Sequence, residues 1–176
     1  DIALSDGVLT HHLQNGEKQI MKFRSVTMKA TDDNDQLQLD VKLTDAYEGL
    51  LQARVSLPAD IERMLMPETK ISGQLDADLP RLENFNVFLQ QGILPVGNIR
   101  AAIQLEGTLQ APRLSGEAVL QVPLLELGNP ATVFSRSILN MQLAGSDIKL
   151  QGKSELAARP LLIEGEVNLA SIENWR

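Results

Sequence analysis

Cysteine is absent from this 176-residue chain, which removes disulfide staples and thiolate metal sites and is compatible with a reducing or an oxidising compartment. Aromatic residues make up only 3% of it, with one Trp and one Tyr, so neither the stacking platforms of single-stranded nucleic-acid binders nor the aromatic girdles of a membrane barrel can be assembled. Positive charge is also scarce. Sixteen Lys and Arg face 23 Asp and Glu, for a net charge of −7, and the cations are scattered singly instead of forming a stripe, which argues against nucleic acid as a partner. No apolar run approaches the roughly 18 residues of a membrane helix. The chain starts at Asp1 with no initiator Met and no leader, so we expect a fragment, internal to C-terminal, of a longer protein whose targeting information lies elsewhere.

Catalytic patterns are missing too. There is no phosphate-cradling glycine loop and no nucleophile elbow, and the carboxylates alternate with apolar residues, which turns them toward water and away from acid–base pairing. His11 and His12 are adjacent, so on a strand they point to opposite faces and do not share a metal. Asp32-Asp33-Asn34-Asp35 lacks the glycine and distal glutamate of a calcium-binding helix-loop-helix site and reads as a solvated turn. A non-enzymatic protein without metal or cofactor is expected.

What is present is period two, the spacing that sends alternate side chains to opposite faces of a strand. Leu37, Leu39, Val41 and Leu43 alternate with Gln38, Asp40 and Lys42; after a turn through Asp45 to Gly49, Leu51, Ala53, Val55 and Leu57 alternate with Gln52, Arg54 and Ser56. Leu75 shares its parity with Ile71, Ala77 and Leu79. Ile99, Ile103, Leu105 and Leu109 follow, then, past a turn at Ala111-Pro112-Arg113, Leu114, Leu120 and Val122. The pattern continues through Leu139, Met141 and Leu143, through Ile148 and Leu150, and through Leu161, Ile163, Val167 and Leu169. Met21 and Phe23 sit on one parity and Val26 and Met28 on the other, which predicts a bulge near Arg24 and Ser25.

Two segments depart from this period. Between Pro80 and Gln91, Leu82, Phe85, Phe88 and Leu89 fall at helical spacing and predict a short amphipathic helix acting as a plug, and Ile61, Met64 and Leu65 allow one or two further turns. Neither helix is long enough to cover the sheet. Gly73, Gly107, Gly116, Gly152 and Gly165 all lie on the apolar parity, where a glycine marks a bend or a close backbone approach. The expected fold is therefore mainly β, one continuous unit over 1–176: a single long, strongly curled sheet folded into an open, taco-like groove with an apolar inner face and one or two short helices. A two-sheet sandwich with a closed core is the alternative, because contiguous apolar patches beyond a few hundred Å² rarely stay uncovered.

The run Gly107-Thr108-Leu109-Gln110-Ala111-Pro112-Arg113-Leu114-Ser115-Gly116, together with Ile71-Ser72-Gly73-Gln74-Leu75 and the segment of Phe85 and Phe88, resembles the TamB family of inner-membrane-anchored subunits of the bacterial translocation and assembly module. That family is related to AsmA-like proteins and, more distantly, to bridge-like lipid-transfer proteins. The resemblance implies a periplasm-spanning hydrophobic groove that meets the outer-membrane barrel TamA, transports phospholipid between the membranes and helps to assemble outer-membrane proteins such as autotransporters. The family's N-terminal anchor and its extreme C-terminal portion, associated with TamA, are not seen in the chain. Three roles follow for the apolar face: a conduit for phospholipid acyl chains, a chaperone surface for unfolded outer-membrane protein strands, or the closed core of a structural spacer.

Overall fold

The computed structural model describes residues 1–12, 18–33, 35–64, 66–88, 93–127 and 132–168. Ten strands dominate: β1 (Ile2–His12), β2 (Lys18–Asp33), β3 (Gln36–Asp45), β4 (Leu50–Pro58), β5 (Ser72–Leu79), β6 (Ile93–Gly107), β7 (Pro112–Leu127), β8 (Thr132–Gly145), β9 (Asp147–Leu156) and β10 (Arg159–Asn168). They form one antiparallel meander in which each strand pairs with its sequence neighbours. The sheet is open, with β1 and β10 outermost, and among the described residues no second sheet packs against it. Alternating apolar and polar residues drive each segment to a pleat with one wet face, and turn residues join them. Asp35 (φ 61°) closes the acidic turn before β3, and the Asp45–Gly49 turn joins β3 to β4. The turn expected at residues 111–113 falls earlier: Thr108 and Ala111 exchange backbone hydrogen bonds of 3.3 and 3.2 Å, and Pro112 opens β7, a position where its missing N–H costs no internal ladder bond.

Register shows how the faces are composed. One lateral row runs Ile2, Met28, Val41, Ala53, Leu75, Ile103, Gly116, Leu143, Ile148, Val167, one residue from each strand. The neighbouring row on the opposite face runs Lys29, Asp40, Arg54, Gln74, Gln104, Ser115, Ala144, Asp147, Asn168. Apolar and polar parities therefore stay in phase through the whole meander, because a one-residue slip anywhere would exchange the faces. The predicted bulge is present: β2 shifts register between Phe23 and Ser25, which returns Met21 and Met28 to a common face. Backbones crowd at some of the apolar-face glycines. At Gly116 (φ +130°) a Cβ would lie 2.0 Å from the carbonyl oxygen of Ala102, and at Gly152 it would lie 2.6 Å from that of Ile138, so no larger residue fits without moving a strand.

The sheet is notched at one end. β3 stops at Asp45, β4 starts at Leu50 and β5 stops at Leu79, whereas β2 runs on through Lys18–Lys22 and β6 reaches back from Ile99, the partner of Leu79, to Ile93. The second bulge, between Val96 and Asn98 of β6, lies on this overhang. A 3₁₀ helix, η1 (Leu82–Phe88), contacts both β2 and β6 here, and a single-turn helix, α1 (Ile61–Met64), lies between β4 and β5. The helix expected over 80–91 is thus shorter and more tightly wound. Asn84 and Asn86 are poor α-formers, and a three-residue period still aligns Leu82 and Phe85 on one edge. The most buried apolar side chains include Met21 on β2, which flanks the notch, Leu79 at the end of β5, and Val122 on the β7 overhang.

Candidate functional site

The apolar face is the candidate site, and the strands position it by parity alone. Leu37, Leu39, Val41 and Leu43 of β3 pair laterally with Leu57, Val55, Ala53 and Leu51 of β4. β5 adds Leu75 and β6 adds Ile99, Ile103 and Leu105, the last between Gly73 and Leu114. Leu120 and Leu139 pair across β7 and β8, Met141 pairs with Leu150 and Leu143 with Ile148 across β8 and β9, and Ile163 and Val167 of β10 face Gly152 and Ile148. These residues are brought together on one face. In the middle of the sheet they are half-buried, and Ala118, Val122 and Leu143 are buried, whereas the outer strands leave Ile2 59% and Val167 48% exposed.

One expected member, Leu109, is not part of this face. Leu109 lies beyond the end of β6, 44% exposed, with its N–H donating to the carbonyl of Thr69 at 3.0 Å; Gly107 (φ +105°) ends the strand and breaks the parity that assigned it. Leu169 and Leu89 fall outside the described residues. Leu82 and Phe85 of η1 are half-buried, and Phe88 ends the same helix.

Sequence reasoning missed a polar hub at the notch. Asp45 continues the apolar parity of β3 and is fully buried; its Oδ1 accepts hydrogen bonds from the N–H groups of Tyr47 (2.8 Å) and Gly49 (2.6 Å), and its Oδ2 accepts from Asn84 Nδ2 (3.3 Å). The amide of Asn84 also pairs with the backbone of Lys22: Lys22 N–H donates to Oδ1 (3.0 Å) and Nδ2 donates to Lys22 O (2.9 Å). One side chain therefore does for β2 what a neighbouring strand would do. The available signal was an aspartate at the end of an apolar parity. A second buried pair, Ser137 and Ser154, satisfies itself through a 2.7 Å Oγ–Oγ hydrogen bond.

The opposite face is held by charge pairs with largely exposed partners, including Arg54–Asp40 (2.5 Å) and Arg100–Asp78 (3.2 Å). Clefts lie mainly there or at strand ends: one of about 470 Å³ over Asp76, Arg100 and Glu117, and one of about 740 Å³ beside Arg63, Lys70 and Ser56. The apolar face is a continuous strip and not a pocket. Among the described residues no group of three His, Cys, Asp or Glu is placed to hold a metal, and no helix is long and apolar enough to cross a membrane.

Residues 1–120 match the family model described as TamB, N-terminal domain. The chain belongs to the TamB family. No curated protein and no solved structure matches it at a significant level. TamB membership is consistent with a role in the translocation and assembly module, with outer-membrane protein assembly, with TamA as a general kind of partner and with a place in the cell envelope. The match lends no support to the expected internal to C-terminal origin or to the AsmA relationship.

Proposed function

We propose that the apolar face of this TamB-family chain is a hydrophobic conduit without catalytic activity, in which the open sheet curls lengthwise to carry phospholipid acyl chains across the periplasm between inner and outer membranes, in support of outer-membrane protein and autotransporter assembly. In this reading residues 1–176 form one segment of a longer array of the kind found in AsmA-like and bridge-like proteins. The observation that carries it is the uninterrupted apolar row through ten strands with no second layer over it among the described residues. A soluble sheet with such a face needs a cover, and an acyl chain supplies one. Each methylene withdrawn from water contributes about 0.8 kcal/mol, so a dozen give on the order of 10 kcal/mol before ordering costs.

A second reading rests on β1 and β10, each paired on one side only among the described residues: unfolded outer-membrane strands add to these edges by β-augmentation. The test is a pair of substitutions on adjacent β6 residues. Leu105→Arg puts a cation on the apolar face, and because Leu105 is only half-buried the guanidinium reaches water and the chain stays folded. Function of the full-length protein, scored by complementation in cells whose envelope integrity depends on it, is then lost, while Gln104→Arg on the polar face leaves it intact. Full function of a folded Leu105→Arg protein removes the conduit at this position.

A further inference from the structure

We propose that η1 is a detachable lid, latched by Asn84 onto the backbone of Lys22 and onto Asp45, that closes the notched end of the apolar face and yields to an incoming acyl chain. The inference rests on the conduit reading and adds to it a device and its controlling residues.

Three observations carry it. First, the hold on η1 is concentrated in one side chain. Asn84 is 6% exposed and makes both Lys22 hydrogen bonds and the Asp45 contact, so the polar hold on η1 among the described residues is concentrated there, beside the half-buried Leu82 and Phe85. The other attachment is an exposed one, Arg81 stacked 4.6 Å from the ring centroid of Tyr47, which is itself 41% exposed. Both attachments reach the β3–β4 turn, and the two remaining bonds of Asn84 hold β2. Second, the seat is imperfectly satisfied. Glu83 Oε2 on η1 is buried without a hydrogen-bond partner among the described residues, a cost that release of η1 into water removes. Third, η1 is a 3₁₀ helix of seven residues, beyond the three or four that usually persist, which places it among elements that rearrange cheaply. Met21 on β2 and Leu79 at the end of β5, 1% and 7% exposed, lie at this same end of the sheet, so opening extends the apolar strip toward it.

The experiment compares the wild-type chain with Asn84→Ala and with Asp45→Asn. In the second variant an NH₂ group faces that of Asn84, while an oxygen remains for the amides of Tyr47 and Gly49. Two quantities are read: hydrogen exchange of the Lys22 amide, and binding of dansyl-labelled undecanoic acid. Asp45→Asn should raise Lys22 exchange about tenfold, the effect of removing roughly one hydrogen bond from a local opening equilibrium, and Asn84→Ala, which removes three, should raise it further, with β7 and β8 amides still protected in both. Both should also bind the probe several-fold more tightly, a change on the order of 1 kcal/mol. Unchanged Lys22 protection in both variants overturns the latch. Raised exchange with the probe bound equally by all three chains overturns the lid while keeping the conduit. Loss of β7 and β8 protection in both variants makes η1 part of the core and also overturns the lid. Absence of probe binding by all three chains overturns the conduit reading, and the lid with it.

Discussion

Two glycines on the same parity of the same sheet should respond oppositely to alanine. At Gly116 the added Cβ would sit 2.0 Å from Ala102 O and the backbone has φ +130°, which L residues rarely adopt. Overpacking costs about 1–3 kcal/mol, and a sparsely populated backbone about as much again, so Gly116→Ala should lose about 2–6 kcal/mol. For a chain of this length each kcal/mol moves the melting temperature by about 2–4 °C, giving a drop of about 4–24 °C. At Gly165 the nearest heavy atom to an added Cβ is Leu150 Cβ at 3.9 Å, an ordinary contact. Gly165→Ala should gain about 0.4–1 kcal/mol, mainly because the unfolded chain loses freedom, and should melt about 1–4 °C higher. Thermal melts followed by far-ultraviolet circular dichroism decide it. A Gly116→Ala chain that melts with wild type, or a Gly165→Ala chain that falls as far as Gly116→Ala, refutes the claim that backbone crowding at particular glycines shapes this sheet.

Other expectations are simpler. Ala157 and Ala158 join β9 to β10 with φ of 50° and 61°, a left-handed pair that alanine tolerates poorly, so replacing them with Asn-Gly should raise stability by about 1–3 kcal/mol in a urea titration; an unchanged or lower midpoint contradicts the turn geometry. Adding zinc or calcium, or removing metals with a chelator, should leave the melting temperature unchanged, and a shift of several degrees would show that His11, His12 or the Asp32–Asp35 turn binds an ion.

Most of the fold was legible because sheet architecture is written in period two, and the parity switch between Phe23 and Val26 located the β2 bulge. What escaped was decided by tertiary pairing. The β9–β10 turn carries no Asn, Asp or Gly, so only the register of Leu156 with Arg159 reveals it. Leu109 kept the parity of β6 on paper, yet Gly107 had already turned the chain. Asn84 is one polar residue among several in its segment, and its bonds to Lys22, sixty-two positions away, cannot be read locally. Of the candidate site, strand membership was readable, but the polar hub at the notch was not.

The central claim is that the apolar face holds lipid. Native mass spectrometry of the chain purified from cells, without detergent, tests it most directly. The account predicts folded protein carrying bound phospholipid, with the bound fraction reduced in Leu105→Arg and retained in Gln104→Arg. A folded chain that emerges free of lipid, and that takes none up from phospholipid vesicles, would contradict it.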